Sequence, residues 1–471
     1  MQKIDKPLIL EDVEYKRSIH DQLDKEWSWL NPKCADIDQP ANYYESSLAE
    51  WHSFDTLASD QECDVVVIGG GLLGSSTALH LSELGIDTIL VEKNRIGSAA
   101  SGRNGGQLTP GLARWEASEM LQHMSVEDAK KLWRFTADGA MQLIDDIIAQ
   151  YDLGLDRKRG HITTAVHEGH LIALTQGADA RKFLGEDHTK IIGKHEVHNY
   201  VNSEAYHGGL VDSLGGQIHP LALTRGLIYG FSKNGGQVFE QTEVIELKTQ
   251  ADGVYVHTTH GVIKARKSVV LAVHHASFKL LESHNQTTIP LFTYVCTTAP
   301  LEMDLKDIIP SDYAVYDTQF ALDFYRGVSK NRLLFGGEGT GTCWNPHRAY
   351  QYLQRRIHHV FPQLKSVELD FVWSGETDLT YNGATDCRKF GERYPIYAVH
   401  GWSGHGVAQT VRIGKAIAHD FIGVSHDYEM LTKIPHKDIL FGRELAPFAI
   451  PLAKGAYEIN AFFNPAKLIS F

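Results

Sequence analysis

Apolar positions along this chain follow two rhythms. Residues 65–68 are a continuous apolar run, Val-Val-Val-Ile, as a strand buried on both faces requires. Three glycines follow, then a stretch with helical character, then the second apolar run Thr-Ile-Leu-Val at 88–91. Further strands are expected at 161–166, 237–247, 254–257 and 267–273. Residues 290–340 alternate short strand-like runs, including 321–325 and 332–335, with polar breaks. That pattern predicts an antiparallel sheet distinct from the first unit. Helices are expected over 124–150 and over 349–361, the latter stopped by Pro362. A strand at 396–399 leads through a glycine turn into a helix reaching about 422. In the first 60 residues, Ile19, Leu23, Trp27 and Leu30 recur at helical spacing, and Asn31-Pro32 ends that helix.

The segment from 63 to 92 combines strand, glycine turn, helix, strand and terminal acid in the order that holds a dinucleotide. Gly69 permits the tight turn, Gly71 lets backbone approach a pyrophosphate, and Gly74 lets the helix lie close on the strand. The following helix N-terminus, starting at Leu72 and Leu73, presents N–H groups to phosphate. Glu92, 18 residues after Gly74, ends the second strand and can accept from ribose hydroxyls; Lys93 adjoins it. The fold class is therefore α/β, or α+β overall. A Rossmann-like nucleotide domain is interleaved with a substrate domain on a mostly antiparallel sheet. Residues 1–60 form an N-terminal arm with one helix. The nucleotide domain takes 61–145, 206–289 and 385–430; the substrate domain takes 146–205 and 290–384; a tail over 431–471 packs on the body.

Composition narrows the partners. The chain has 471 residues, 43% hydrophobic and 22% charged, a soluble globular balance. A net charge of −13 argues against nucleic acid and mildly favours encounter with cations. No run approaches the length of about 18 apolar residues that spans a membrane, and the N-terminus lacks an apolar signal core, so a cytoplasmic location is expected. Five scattered cysteines without CxxC suit reduced thiols. The 25 histidines show no metal-ligand spacing, so no metal is expected. Cys387, near the late strand, reads as a buried thiol.

Two small-residue segments identify the nucleotide. Residues 96–108 contain Ser101, Gly102, Arg103, Asn104, Gly105, Gly106 and Gln107, too small to pack a core and suited to close approach by a ligand. The turn Gly401-Trp-Ser-Gly404-His405-Gly406 precedes a helix but does not fit GxGxxG, and nothing else in the chain does. A second nucleotide fold is therefore absent. The turn can instead aim helix N-terminal N–H groups at a ring oxygen that becomes negative on reduction. FAD fits better than NAD.

These residues resemble the DAO-type FAD-dependent amine oxidoreductases, and within them the bacterial γ-glutamylputrescine oxidases. The resemblance runs over about 42–425. It includes Asn42-Tyr43-Tyr44, Phe54-Asp55-Thr56-Leu57, the glycine turn at 69–74, the 97–108 loop, Gly215-Gly216-Gln217-Ile218-His219-Pro220, Asp323-Phe324-Tyr325-Arg326, Asn331 to Gly337, Phe361 to Lys365, Trp373-Ser374-Gly375 and residues 401–407. It implies that Gly69, Gly71, Gly74 and Glu92 hold the ADP half and that Ser101 to Gln107 line pyrophosphate and flavin. It places Val244 beside adenine, Gly375 near the flavin, and Gly404, His405, Gly406 and Val407 over the pyrimidine edge. Three departures stand out. Ala272-Val273-His274-His275 replaces the usual Ala-x-Gly. Ser374 stands near the position where monomeric sarcosine oxidases attach FAD through cysteine, so FAD is expected to be non-covalent. Leu334 stands near the position of their oxygen-activating lysine, which leaves the acceptor open between oxygen and another oxidant.

The implied reaction is hydride transfer from an amine-bearing carbon to flavin N5, giving an imine and then an aldehyde, with hydrogen peroxide where oxygen is the acceptor. Only the neutral amine reacts, and deprotonating an alkylamine of pKa about 10.4 at pH 7 costs roughly 4–5 kcal/mol. Candidate pocket residues are Tyr325, Trp373 and His405, the last a possible proton acceptor through water. Arg326 is a candidate for a substrate carboxylate. Each has a plain alternative: core packing for the aromatics, turn geometry for His405, an ion pair for Arg326. His219-Pro220 reads as the start of a helix. Oxidation of γ-glutamylputrescine or a related γ-glutamylated amine leads. A D-amino-acid, sarcosine or glycine oxidoreductase on the same fold is the alternative, and a flavin-bearing regulatory protein without turnover is a third. Oligomeric state is left open.

Overall fold

The computed structural model describes residues 42–463, except 50, 52, 275–276, 278–279 and 282–286. The helix expected around residues 19–30 lies outside the described residues, as do 464–471.

The first sheet is built on five parallel strands. Ile396–His400, Val262–Leu271, Gln61–Ile68, Thr88–Val91 and Gln237–Phe239 lie in that spatial order, with Asp386–Phe390 antiparallel at one edge. Gly253–Thr258 and Val244–Gln250 extend it as an antiparallel meander from Val262–Leu271. The continuous apolar run Val65 to Ile68 is buried on both faces, as a central parallel strand must be. Helix Leu72–Glu83 packs between Pro220–Lys233 and Gly406–Phe421, and Leu72–Glu83 and Gly406–Phe421 each start just beyond the carboxyl end of a parallel strand.

The second sheet has nine strands. Its main path runs Leu369–Thr380, Thr288–Thr298, Arg332–Thr340, Phe324–Val328, Ala314–Asp317, Lys158–Thr164, Gly208–Gln217 and Gln107–Leu108, with Thr189–Gly193 paired to Gly208–Gln217. All pairs are antiparallel except Ala314–Asp317 with Lys158–Thr164. Helix Pro346–Val360 closes one face over Ile162, Val315, Tyr325, Phe335, Tyr294 and Val372. Because side chains alternate along a strand, Tyr316, Phe324, Arg326 and Trp373 belong to the other face, towards the first unit.

Four sequence expectations change. Residues 206–217, assigned to the nucleotide segments, supply the strand Gly208–Gln217 of the second sheet. The strand expected over 237–247 is two, broken where Gln241 takes φ 52° and Glu240 turns fully inward. Glu240 there accepts from Ile96 N at 2.6 Å and Phe54 N at 2.9 Å, work that only a carboxylate at a break can do. The strand expected at 321–325 starts at Phe324, because Asp317 Oδ1 accepts from Gln319 N and Asp323 N and closes a turn first. In the tail, helix Gly442–Phe463 packs on the second unit through Ala446, Ile450 and Tyr457, with Lys454 Nζ 2.7 Å from Glu338. Cys63, Cys296 and Cys387 are free and buried; Cys343 is disulfide-bonded, against the expectation of reduced thiols.

Candidate active site

At the first strand's carboxyl end, Gly69 takes φ +108°, and a Cβ there would press on the Ala272 carbonyl. A Cβ on Gly74 would overlap the Gly69 oxygen, so the turn and helix Leu72–Glu83 lie in direct contact. Gly71 is the N-cap and has no capping side chain of its own. Leu72 N instead donates to Ser101 Oγ at 2.9 Å, which brings the 100–107 loop to the helix N-terminus. Leu73 follows it in the first turn. Glu92 accepts from Gly70 N at 2.7 Å and Asn94 N at 2.8 Å, which fixes the carboxylate and leaves lone pairs for hydroxyl donors. Burial raises its pKa. Lys93 points to the surface and pairs with Glu243 at 3.1 Å. Val244 is half-buried, two residues beyond Thr242, whose N–H donates to the Glu92 carbonyl.

The 100–107 loop is held in place by arginines. Arg103, buried, donates through Nε to Ser374 O at 2.7 Å, and Trp373 Nε1 donates to Arg103 O at 2.9 Å. Gly375 lies beside Arg103. Burial pushes the Arg103 guanidinium down to about 10, so it stays charged at neutral pH. Asn104 bridges Ala100 O and Ser101 O through Nδ2 and accepts from Gly106 N, closing the loop on itself. Gln107 Nε2 donates to Val315 O at 2.8 Å. Arg326 is 1% exposed. Its Nε donates to Gly105 O at 2.8 Å, and one terminal nitrogen donates to Ile218 O at 3.1 Å and Tyr44 OH at 3.3 Å. Tyr44 OH in turn donates to Asn104 O. Arg326 thus grips the glycine loop instead of standing open for a substrate carboxylate. His219 accepts from Ala222 N through Nδ1 and caps helix Pro220–Lys233, as its place before Pro220 suggested.

The turn before helix Gly406–Phe421 is tightly wound: Gly401, Ser403 and Gly404 all have positive φ. Asp378, fully buried, secures it. Its Oδ1 accepts from Trp402 N at 3.1 Å, its carbonyl accepts from Ser403 N, and His274 Nε2 sits 3.0 Å from Oδ1. His274 takes φ 56°, in the left-handed region that favours glycine, and is held there by its ion pair with Asp378. Burial opposes the imidazolium, but Asp378 outweighs it and raises the His274 pKa. Val407 is buried in the first turn of the helix.

On the sheet face towards this turn, the Tyr316 ring lies between two histidines, 4.5 Å from the His161 ring and 6.2 Å from the His405 ring. Burial lowers His161 to about 3; burial, then Arg181, lowers His405 to about 4. Both imidazoles are neutral at neutral pH, and His161 Nε2 and His405 Nδ1 are buried without a hydrogen-bond partner among the described residues. Arg181 lies beside this row, 2.9 Å from Glu116 and 3.4 Å from Asp212, stacked on Trp133. Tyr325 does not join it. Its side chain points under helix Pro346–Val360, stacks on Phe335 and donates to Tyr206 OH at 2.9 Å. Trp373 lies on the cofactor face but is tied to the loop. Of the residues the sequence singled out, the structure brings His405, Trp373 and the glycine loops towards this face; Tyr316, His161 and Asp378, which stand alone in the sequence, join them only through the fold.

The chain matches the family described as DAO, FAD dependent oxidoreductase, over residues 64–419. It belongs to that family. This DAO-family chain is 32% identical over 410 residues to the gamma-glutamylputrescine oxidoreductase of Escherichia coli strain K12, spanning 87% of this chain and 95% of that protein. Its fold is shared with glycine oxidase from Geobacillus kaustophilus, at TM-score 0.65 and 21% identity over 78% of this chain and 96% of that one. It is shared also with L-proline dehydrogenase from P. horikoshii, at TM-score 0.64 and 18% identity over 77% and 93%. The protein is an FAD-dependent amine or amino-acid oxidoreductase. Its residues fit the cofactor: a glycine cradle that a Cβ at Gly69 or Gly74 would fill, a helix N-terminus capped by a glycine without a side chain for pyrophosphate, and an oriented carboxylate for ribose. No helix among the described residues is long and apolar enough to cross a membrane.

Proposed function

We propose that the protein oxidises a γ-glutamylated alkylamine, γ-glutamylputrescine or a near relative, at the carbon bearing the terminal amine. One observation carries the choice over an α-amino acid. An α-amino acid puts a carboxylate one carbon from the reacting centre and calls for a fixed cation there. The buried arginines nearest the glycine loop and the His161–Tyr316–His405 row are committed, Arg103 to Ser374 O, Arg326 to Gly105 O and Ile218 O, and Arg181 to Glu116 and Asp212. An alkylamine with its charged head far from the reacting carbon asks for no such cation. The similarity to the Escherichia coli enzyme supports the same substrate class.

FAD, when bound, supplies the hydride acceptor. The chain's own residues prepare the amine. His161, Tyr316 and His405 offer a buried, uncharged wall that favours the neutral amine by desolvation. Neutral His405 can hydrogen-bond the nitrogen, while its low basicity makes it a poor final proton acceptor. The 401–406 turn aims the helix N-terminus at the cofactor. Ser374 cannot form a thioether, so FAD is held non-covalently, and acid precipitation should release the yellow colour into solution. Oxygen or another oxidant takes the electrons, and the enzyme works in the cytoplasm. Turnover on an amine panel with aldehyde detection tests the substrate class. The expected kcat/KM is at least tenfold higher for γ-glutamylputrescine than for glycine, sarcosine or D-alanine; the reverse order would assign the protein to amino acids.

A further inference from the structure

A cleft of about 460 Å³ is lined by Glu45, Leu48, Trp51, Ser53, Arg95 and Arg225. Arg225 is 5% exposed, yet among the described residues it has no hydrogen bond and no ion pair. Its Nε is buried without an acceptor, the Trp51 ring lies 5.0 Å from the guanidinium carbon, and Glu45 and Glu240 act on it through charge alone, without a hydrogen bond. Trp51 Nε1 is a second buried donor with no acceptor. Arg95 reaches the same cleft from the surface. Buried polar groups are almost always satisfied, and a buried charge without a partner is costly. Here every unsatisfied group is a donor, and two of them sit on or against a guanidinium.

We propose that this cleft is a binding site for a small anion, a carboxylate or a phosphate, held by the Arg225 fork with Arg95 at the mouth and Trp51 alongside. The guanidinium geometry suits two-point binding of either oxyanion. Burial pushes Arg225 down to about 10, so it is still cationic at neutral pH. The exposed carboxylate of Glu45 at the rim and the buried carboxylate of Glu240 partly offset the attraction of the two arginines. The site touches the cofactor loop. Arg95 precedes Ile96, whose N–H is held by Glu240, and the chain then runs through Gly97 into the turn Ala100–Gly102. An anion here stiffens that run, so occupancy should tighten FAD binding as well.

Thermal unfolding and calorimetric titration of the FAD-loaded protein, in a buffer without oxyanions, test this with inorganic phosphate, glutamate and chloride. Phosphate or glutamate at millimolar concentration should raise Tm by a few degrees and chloride should not; which of the two binds more tightly distinguishes a phosphate site from a carboxylate site. Arg225→Met removes a buried charge that has no hydrogen-bond partner among the described residues and keeps the volume, so it should unfold no earlier than the parent without anion and lose the anion-dependent rise. Arg95→Gln should weaken the response severalfold. No response to either oxyanion in the parent, or an equal response in Arg225→Met, would overturn the proposal. If Arg225→Met is markedly less stable than the parent without anion, Arg225 has a partner within the fold, and the proposal is equally overturned.

Discussion

Arg326→Met separates two roles that the sequence alone left open. The substitution keeps length and removes the fork. Two buried carbonyls, Gly105 O and Ile218 O, lose donors at 2.8 and 3.1 Å. Leaving a buried acceptor unmet costs about 1–3 kcal/mol each, and removal of the buried guanidinium returns part of that. A net loss of about 2–4 kcal/mol is expected. It falls on the Gly105-Gly106 loop, which lies in the cofactor cradle. Titration of apoprotein with FAD, followed by flavin fluorescence, should show affinity weakened roughly 30- to 700-fold, at about 1.4 kcal/mol per decade. At saturating FAD, the KM for the amine should change by less than about threefold. Unaltered FAD affinity with a tenfold rise in KM, confined to carboxylate-bearing substrates, would refute the anchoring role and restore Arg326 to the substrate.

Three other outcomes follow from the geometry. Tyr325→Phe loses only the bond to Tyr206 OH, so it should cost about 1 kcal/mol in urea unfolding and leave kcat/KM within about twofold. Gly74→Ala forces a Cβ onto the Gly69 carbonyl and should cost about 1–3 kcal/mol or more, with FAD lost on gel filtration. His161 has a folded pKa of about 3 against about 6.5 when unfolded. Between those values the unfolded chain holds the extra proton, so stability falls as pH drops below about 6.5 and levels off below about 3. Urea midpoints from pH 7 to 4 should therefore decline less steeply in His161→Asn, by up to a few kcal/mol; parallel declines would show that His161 does not set the acid limb.

How much the sequence revealed depended on whether the chemistry was local. The glycine turn, its helix and Glu92 lie within one short stretch, and their spacing carries the geometry with it. The 101–107 loop was legible because no core can be built from such small residues. Tyr325 and Arg326 were indistinguishable in sequence, since neighbouring residues on a strand go to opposite faces and only the pairing of Phe324–Val328 with its neighbours says which face is which. The His161–Tyr316–His405 row draws on three distant segments joined by the one parallel pairing in the second sheet. Glu240 and His274 break local rules, one by ending a strand with a buried acid and one by taking φ 56°. Each is explained only by partners that are remote in the sequence, Ile96 and Phe54 for the first and Asp378 for the second.

The flavin's response to a single substrate tests the proposed oxidation most directly. Anaerobic mixing of the FAD-loaded protein with γ-glutamylputrescine, followed in the visible flavin band, isolates the reductive half-reaction from the acceptor. Rapid and complete bleaching, with glycine and sarcosine slower by at least tenfold, is the predicted result. A band that persists with γ-glutamylputrescine yet bleaches with dithionite would contradict it.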